Sequence, residues 1–315
     1  MKRTLIYLVA VAFAFSASAQ ELNVASFNIR NGKPLKPGQE LPKKGDYAKF
    51  NGWDHRRDQL CDLMNLEAFD VFGIQEARIG QIEDMLQRMP DYKYIGVGRD
   101  DGDRKGEHCA IFYRHKQYKV LEQGTFWLSE TPEKVSYGWG AKHRRICTWA
   151  LFQDKKTKVK FYLLNLHLDH RVLDAKINGS KLVVDFVKKN CTKSPNIIIT
   201  GDYNVPQGSE SYQIFADSGL KDAYDIAKYK FAPTGTFNGF NPRRFTTHRI
   251  DHIFLSNGLK VSRYGVLTYH YYLDKYALEG TTPPADLRIE NRDIKCPTDH
   301  YPVQVWVTLK GGKKR

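Results

Sequence analysis

Cysteine is scarce in this sequence, and the few cysteines do not form a metal-binding pattern. There are five among 315 residues: Cys61, Cys109, Cys147, Cys191 and Cys296. No C-x-x-C pair occurs, which argues against a structural zinc site. The odd count leaves at least one thiol free within a monomer. Cys109 and Cys147 lie in strand-like segments, so we expect small buried core residues there and assign no disulfide.

Long hydrophobic runs are also missing. The apolar run over residues 5–15 falls well short of the ~18 residues that a membrane span needs. It follows Lys2 and Arg3 and precedes A-S-A at 17–19, an arrangement typical of a secretory signal peptide. We therefore expect residues 1–19 to be removed near Ala19. The mature chain would then be periplasmic or secreted, without stable membrane insertion.

Acidic residues are outnumbered, 35 against 49 basic ones, which gives a formal charge of +14. Without Lys2 and Arg3 the basic count falls to 47, so the mature chain would carry about +12. Such an excess favours polyanionic partners, including nucleic acid, phosphate esters and acidic surfaces. Solubility alone would also explain it, and the charge does not decide between the two.

Repeats, low-complexity tracts and linkers rich in proline, glycine or serine are absent from the sequence as well. With 41% hydrophobic residues, a chain of this length can bury a sizeable core. We therefore predict a single domain over residues 20–315 behind the signal peptide.

The hydrophobic pattern mixes strands with a few helices. Helical spacing predicts helices over 54–69, 78–89 and 175–189, the second stopped by Pro90. Predicted strands include ELNVASFNI, DVFGIQ, HCAIFYR, NIIITGD, HRIDHIFLS, YPVQVWVTL and two within TWALFQDKKTKVKFYLLNLHL. Many are apolar on both faces, which suits two packed sheets with helices outside.

Several of these strands turn polar where they end. Alternate residues share a strand face, and the polar sets sharing a face are Thr200, Asp202 and Asn204; Asn165, His167 and Asp169; and Ser26 and Asn28. Glu76 ends another strand, and Asp299 and His300 precede one. Asp251 lies on an apolar face, where an unpaired carboxylate is costly, so it implies a partner. If these ends converge, they form an oxygen-rich site suited to Mg²⁺ or Mn²⁺. Separate polar rims are the alternative.

Six motifs in this order resemble the endonuclease/exonuclease/phosphatase family. They are SFNIR, GIQE, NLHLDH, GDYNVP, RIDHIF and TDHYPV, spread over residues 26–303. The family includes deoxyribonuclease I, apurinic endonucleases, inositol polyphosphate 5-phosphatases and bacterial sphingomyelinases. The resemblance implies an α+β fold of deoxyribonuclease I type, a four-layer sandwich of two packed mixed β-sheets with helices outside.

The resemblance also implies roles for individual residues around a metal ion. Glu76 would be the principal ligand of Mg²⁺ or Mn²⁺, with Asn28 and Asp299 close to the ion. Asp202 and Asn204 would orient the attacking water and hold the phosphate.

Three further positions take roles from the resemblance. His300 would act on the attacking water, with Asp251 fixing its tautomer, which supplies the partner that Asp251 requires. His167 would hydrogen-bond a phosphate oxygen; apurinic endonucleases have tyrosine there, so histidine places the chain nearer the deoxyribonuclease and deadenylase-like branches. Arg145 stands where a basic residue often touches the phosphate, and a solvated strand end is the alternative.

The function implied is an exported, divalent-metal-dependent phosphoesterase, which we expect to be a monomer. The positive charge mildly favours a nuclease, while inositol phosphates, nucleotides and lipid head groups stay open as substrates. The alternative is a catalytically inactive binding module on the same fold that recognises a phosphorylated or polyanionic ligand. The intact set of acidic and histidine residues argues against that alternative.

Cleavage after Ala19 should give a mature chain that begins near Gln20, because A-x-A is the processing pattern. N-terminal sequencing of the protein purified from its own host tests this. An uncleaved Met1 in the soluble cytoplasmic fraction would contradict it.

Overall fold

The computed structural model describes residues 21–33, 35, 38–40, 45, 49–274 and 292–311. The predicted signal peptide, residues 1–19, lies outside the described residues and stays a prediction. No helix of the described residues is long and apolar enough to cross a membrane.

The described residues form strands and five helices. The strands are β1 (Glu21–Asn28), β2 (Val71–Gln75), β3 (Tyr92–Ile95), β4 (Ile111–Arg114), β5 (Tyr118–Trp127), β6 (Ile146–Asp154), β7 (Lys160–His167), β8 (Ile197–Asp202), β9 (Lys221–Asp222), β10 (Ala227–Phe231), β11 (Asp251–Leu255), β12 (Lys260–Val266), β13 (Tyr271–Asp274), β14 (Arg292–Lys295) and β15 (Val303–Thr308). The helices are α1 (Trp53–Glu67), α2 (Ile79–Arg88), α3 (Leu173–Asn190), α4 (Glu210–Asp217) and α5 (Ala223–Ile226).

Two mixed sheets carry most of these strands. The first has the order β10-β12-β15-β1-β2-β4-β3 and the second the order β5-β6-β7-β8-β11-β9, while β13 and β14 pair separately. Each large sheet has a central parallel pair, β1 with β2 and β7 with β8. Parallel neighbours end at the same edge of a sheet, so each pair delivers two strand ends to one place.

The sheets pack face to face with helices on the outside. Leu163 and Ile198 belong to the apolar interior between the sheets, whereas the alternate residue Leu164 packs outward with α3 and α4. Phe27 and Phe72 pack outward from the first sheet against α1 and α2. Burial on both faces explains the two-sided apolar strands, and the predicted α+β four-layer sandwich is confirmed.

The predicted helices lie within two residues of the observed ones, and α1 ends because Ala68 takes a left-handed conformation with φ 53°. The sequence patterns did not identify β5, β12 or α4. β5 is mostly half-buried, so it lacks the continuous apolar run that marks the other strands. All five cysteines are free and buried, and Cys147 packs in the core as expected.

A buried ion pair anchors the segment that leads into β11. Arg249 Nη1 donates to Asp222 Oδ2 at 3.0 Å, and the Tyr212 hydroxyl donates to the same oxygen at 3.0 Å. Burial would raise the pKa of Asp222, but His252 and Arg249 lower it to about 2. Since Arg249 lies two residues before Asp251, this pair fixes where β11 begins.

Asp222→Asn should destabilise the fold by about 3–5 kcal/mol at neutral pH, because it leaves Arg249 buried without its partner. The native pKa of Asp222 lies below its ordinary value of 3.8. Its charge therefore stabilises the fold above about pH 4, and that contribution is lost as pH falls towards 2. Urea unfolding at pH 7 and pH 3 measures both effects.

Asp91→Asn, which removes an exposed pair with Lys116, is the matched control and should change little. Equal losses in the two variants would contradict the assignment.

Candidate active site

The polar ends of four central strands meet at one edge of the sandwich. Asn28 ends β1 in the first sheet and Asp202 ends β8 in the second, yet Asn28 Nδ2 donates to Asp202 Oδ2 at 2.9 Å. β11 runs antiparallel to β8 and places Asp251 opposite Asp202. The predicted convergence is therefore present, and separate polar rims are excluded for these residues.

Glu76 leaves β2 in a left-handed conformation with φ 65° and is held by three donors. Asn28 Nδ2 donates to Oε1 at 3.1 Å, and the backbone and side-chain nitrogens of Asn31 donate to Oε2 at 3.0 and 2.9 Å. Burial raises the pKa of Glu76, but the donors from Asn31 and Asn28 lower it overall. Glu76 is thus kept ionised as a half-buried carboxylate. Asn31 was not identified from the sequence, although it directly follows the SFNIR motif.

Asp299 is a second carboxylate on this side of the site, and it is buried. Burial raises its pKa and the negative charge of Glu76 raises it further, while His300 and Arg30 act in the opposite direction. Thr298 Oγ1 donates to Asp299 Oδ1 at 3.2 Å, and Arg30 Nη1 lies 3.7 Å from Asp299 Oδ2. Two carboxylates that repel each other favour a shared cation, and their oxygens are the donors that Mg²⁺ prefers. The residues present therefore fit a divalent metal ion.

His300 and Asp251 form a buried pair across from these carboxylates. His300 Nδ1 donates to Asp251 Oδ2 at 2.9 Å, which is the contact predicted from the sequence. Burial lowers the pKa of His300, but Asp251 and Asp202 outweigh it and raise the pKa to about 10. These carboxylates favour the protonated imidazole, with Asp251 as its counter-ion.

Asp202 lies between the two sides of the site. Burial and the charge of Asp251 raise its pKa to about 7, against the effects of His300, Asn28 and the Asn204 backbone N–H. His300 Nε2 is 3.8 Å from Asp202 Oδ2, too far for a hydrogen bond. Ligand atoms of Asp202, Asp251 and His300 lie within 4.8 Å of one another. Because His300 Nδ1 and Asp251 Oδ2 already hydrogen-bond to each other, we interpret this group as acid–base machinery.

His167 and Asn204 border the same space. His167 Nε2 lies 2.9 Å from Asn204 Nδ2 and 3.5 Å from Asp202 Oδ2. Burial and the charge of Arg145 hold the pKa of His167 well below its ordinary value, so the ring is neutral. Asn204 takes a left-handed conformation with φ 51°. Their predicted contacts with a phosphate stay predictions.

Arg145 is buried beside His167, so the alternative of a solvated strand end is wrong. Its Nη2 donates to His170 Nδ1 at 2.9 Å, and its Nε lies 3.5 Å from Asp169 Oδ2. Two partners therefore orient this guanidinium before any ligand arrives. The signal missed in the sequence was His170, which directly follows Asp169 in NLHLDH.

A model of the "Endonuclease/Exonuclease/phosphatase family" matches residues 25–300, which is most of the chain and spans every site residue described above. The chain belongs to this family. Its members are phosphoester hydrolases and generally depend on divalent metals. The chain is accordingly a phosphoric ester hydrolase.

Three relatives differ in what they are described to do. A mannosyl-6-phosphatase of Bacteroides thetaiotaomicron VPI-5482 is 41% identical, with a TM-score of 0.81, over 91% of this chain and 99% of that one. An uncharacterized protein of Acanthamoeba polyphaga mimivirus is 23% identical over 76% of this chain and 94% of its own. A probable CCR4-Not complex 3'-5'-exoribonuclease subunit of Vairimorpha ceranae is 21% identical over 82% of this chain and 56% of its own. This chain thus spans about half of the exoribonuclease subunit.

His300→Ala should lower turnover by about 10²–10⁴-fold, since it removes a positioned group that reaches the reacting atoms. Asp251→Asn should also be severe, because it removes the counter-ion. The double variant should be little worse than His300→Ala alone, because residues that act as a unit are not additive. Steady-state kinetics on a model phosphoester, with circular dichroism for folding, measures the cycle. His115→Ala, a histidine outside the site, is the control. Additive losses would show that the two residues act independently.

Proposed function

We propose that the protein is an exported, Mg²⁺- or Mn²⁺-dependent phosphatase that hydrolyses the phosphate monoester of a phosphorylated sugar. The observation that carries this proposal is the 41% identity with a mannosyl-6-phosphatase across 91% of the chain. The basic n-region, the apolar run and the A-x-A pattern support export to the periplasm or beyond.

Glu76 and Asp299 would hold the metal ion, and Asn28 would orient Glu76 through its amide. When bound, the ion supplies a positive charge that offsets the charge developing on the phosphoryl oxygens. The mutual repulsion of the Glu76 and Asp299 carboxylates supports this assignment, because a cation between them offsets that repulsion.

The remaining residues would act on the phosphate and on the attacking water. With a pKa of about 7, Asp202 can take a proton from the attacking water near neutral pH. As the water oxygen bonds to phosphorus, the bond from phosphorus to the sugar oxygen breaks, the sugar oxygen takes up a proton from solvent to become a hydroxyl, and inorganic phosphate forms. The proton taken by Asp202 then returns to solvent. His300, protonated and paired with Asp251, is suited to stabilise a phosphoryl oxygen rather than to act as a base. Arg145 and His167 would contact the phosphate from the other side.

A basic recess would give the leaving group room. It measures about 400 Å³ and is lined by Gly32, Lys33, Arg78, Ile79, Gly80, Asp100, Arg104, Lys105 and Gly106. Gly32 follows Asn31, which donates to Glu76, and Arg78 lies two residues after Glu76, so we place the leaving group on this side of the proposed metal ligands. Its volume falls within the range of small-molecule sites.

A nuclease is the second candidate. The formal charge of +14 and the 21% identity with an exoribonuclease subunit favour it. Nucleic-acid binding would weaken steeply with salt because it releases counterions, whereas a small phosphoester held by local contacts would respond weakly.

A substrate panel with and without EDTA decides between these candidates. It should contain mannose 6-phosphate, glucose 6-phosphate, p-nitrophenyl phosphate, bis-p-nitrophenyl phosphate, inositol phosphates, nucleotides, sphingomyelin, RNA and DNA. We expect the hexose 6-phosphates to be hydrolysed fastest and EDTA to abolish turnover. Glu76→Gln should lower turnover by about 100-fold or more, because losing a metal ligand should cost more than the ~10–100-fold seen when a residue that supports a ligand is changed.

Faster cleavage of RNA or DNA would replace the phosphatase with the nuclease. Full turnover after exhaustive EDTA treatment would contradict the metal mechanism. Binding of phosphorylated ligands without turnover of any substrate would favour the inactive binding module.

A further inference from the structure

A second polar layer lies directly beneath the active site, between the two sheets. On β1, β7 and β8, the residues two positions before Asn28, His167 and Asp202 are polar. They, and the residue that precedes Glu76, are completely buried: Ser26, Asn165, Thr200 and Gln75. Deeper still, the inner faces of the same strands are apolar and include Val24 and Leu163. Each inner strand face therefore runs from apolar core through this polar layer to the active site.

Asn165 connects the two sheets within this layer. Its Nδ2 donates to the backbone oxygens of Ile74 and Ala110, in the first sheet's half of the sandwich, at 2.8 and 3.0 Å. Its Oδ1 accepts from Gln75 Nε2 at 2.7 Å. Thr200 Oγ1 lies 3.2 Å from the same oxygen and 3.1 Å from the Leu164 carbonyl oxygen, so its hydroxyl hydrogen lies between two acceptors of the layer and of β7. One side chain from the second sheet thus fixes the backbone of β2 at the strand end that leads to Glu76.

The first sheet makes room for this connection with a glycine. A Cβ at Gly73 would lie 2.4 Å from Asn165 Oδ1 and 2.4 Å from Thr200 Oγ1, closer than real atoms approach. Gly73 pairs with Ser26 in the register of β1 and β2. At this depth hydrogen bonds hold the two sheets together. Deeper in the sandwich, packed apolar side chains hold them together instead.

The register couples this layer to the active site. Asn165 pairs with Thr200 across β7 and β8, and the next pair on the same face is His167 with Asp202. A change in the Asn165–Thr200 pair is therefore passed to both site residues within two positions of chain.

We propose that Ser26, Gln75, Asn165 and Thr200 form a positioning layer, with Asn165 at its centre, that holds the catalytic ends of the two sheets in register. The layer acts through the residues above it and does not touch substrate. For its effects on turnover and on metal binding the inference rests on the proposed function, whereas its effect on local opening does not.

Two variants and one matched control test the layer. Thr200→Val removes a hydroxyl at nearly constant shape, and Asn165→Leu removes the connection between the sheets. Asn196→Leu is the control: Asn196 is equally buried, but at the opposite end of β8. Its Nδ2 donates to the carbonyl oxygens of Lys160 and Lys310, and its Oδ1 accepts from the Lys310 backbone.

The readouts are Mn²⁺ affinity by titration calorimetry, kcat and KM on p-nitrophenyl phosphate, and Tm. We expect both layer variants to lose about 10- to 100-fold in Mn²⁺ affinity or kcat, the loss typical of changing a residue that orients metal ligands, and Thr200→Ser to recover most of it. Asn196→Leu should lower Tm alone. Equal Tm losses at Asn165 and Asn196, with Mn²⁺ affinity and kcat retained in both, would overturn the proposal.

Failure of the proposed function gives a separate result. If the wild-type protein binds no Mn²⁺ or hydrolyses no phosphoester, backbone amide hydrogen exchange at Asn28, Glu76, His167 and Asp202 decides instead. The layer predicts faster exchange at these four amides in Asn165→Leu than in Asn196→Leu under conditions of matched global stability. Equal rates would overturn it.

Discussion

The arrangement of this active site follows from one electrostatic constraint, the crowding of four carboxylates at one end of a β-sandwich. Asp202, Asp251 and Asp299 are buried and Glu76 is half-buried beside them, where isolated charges are expensive. Each is compensated differently: Glu76 by donors from Asn28 and Asn31, Asp251 by His300, and Asp202 by Asn28 and the Asn204 backbone N–H. Asp299 retains a raised pKa. That residual cost is what a divalent cation would relieve.

The topology explains why these charges meet. The parallel pairs β1–β2 and β7–β8 lie at the centres of different sheets, and face-to-face packing brings their carboxyl ends together. Asp251 enters from the opposite direction at the start of β11, whose position depends on the buried Arg249–Asp222 pair. The polar layer around Asn165 lies between this charged edge and the apolar core. Rigid positioning of this kind lets an active site act without reorganising during the reaction.

Much of this arrangement could be predicted from the sequence, because alternation along a strand is a local property. The shared face of Thr200, Asp202 and Asn204 follows from the sequence alone, and the apolar surroundings of Asp251 required a partner before His300 was located. Alternation could not assign Glu76 to a strand face, because its left-handed backbone interrupts the alternation of β2; its expected role came from the family resemblance. It also could not show that Arg145 is buried against Asp169 and His170, since those contacts join separate strands.

Asn165 shows a different limit of sequence reasoning. Alternation along the strand placed Asn165 on the same face as His167. An asparagine within a strand is equally consistent with an ordinary core residue whose amide is hydrogen-bonded. Its importance depends on which backbone oxygens of the other sheet it reaches and on the missing side chain of Gly73. Both are properties of sheet packing, which no local pattern encodes.

Anomalous diffraction from crystals of the whole protein grown with Mn²⁺ tests the central claim most directly. The account predicts an ion bound by oxygens of Glu76 and Asp299, with the His300–Asp251 hydrogen bond intact on the other side of the site. An ion coordinated by Asp202, Asp251 and His300 instead, with Glu76 and Asp299 unliganded, would contradict it.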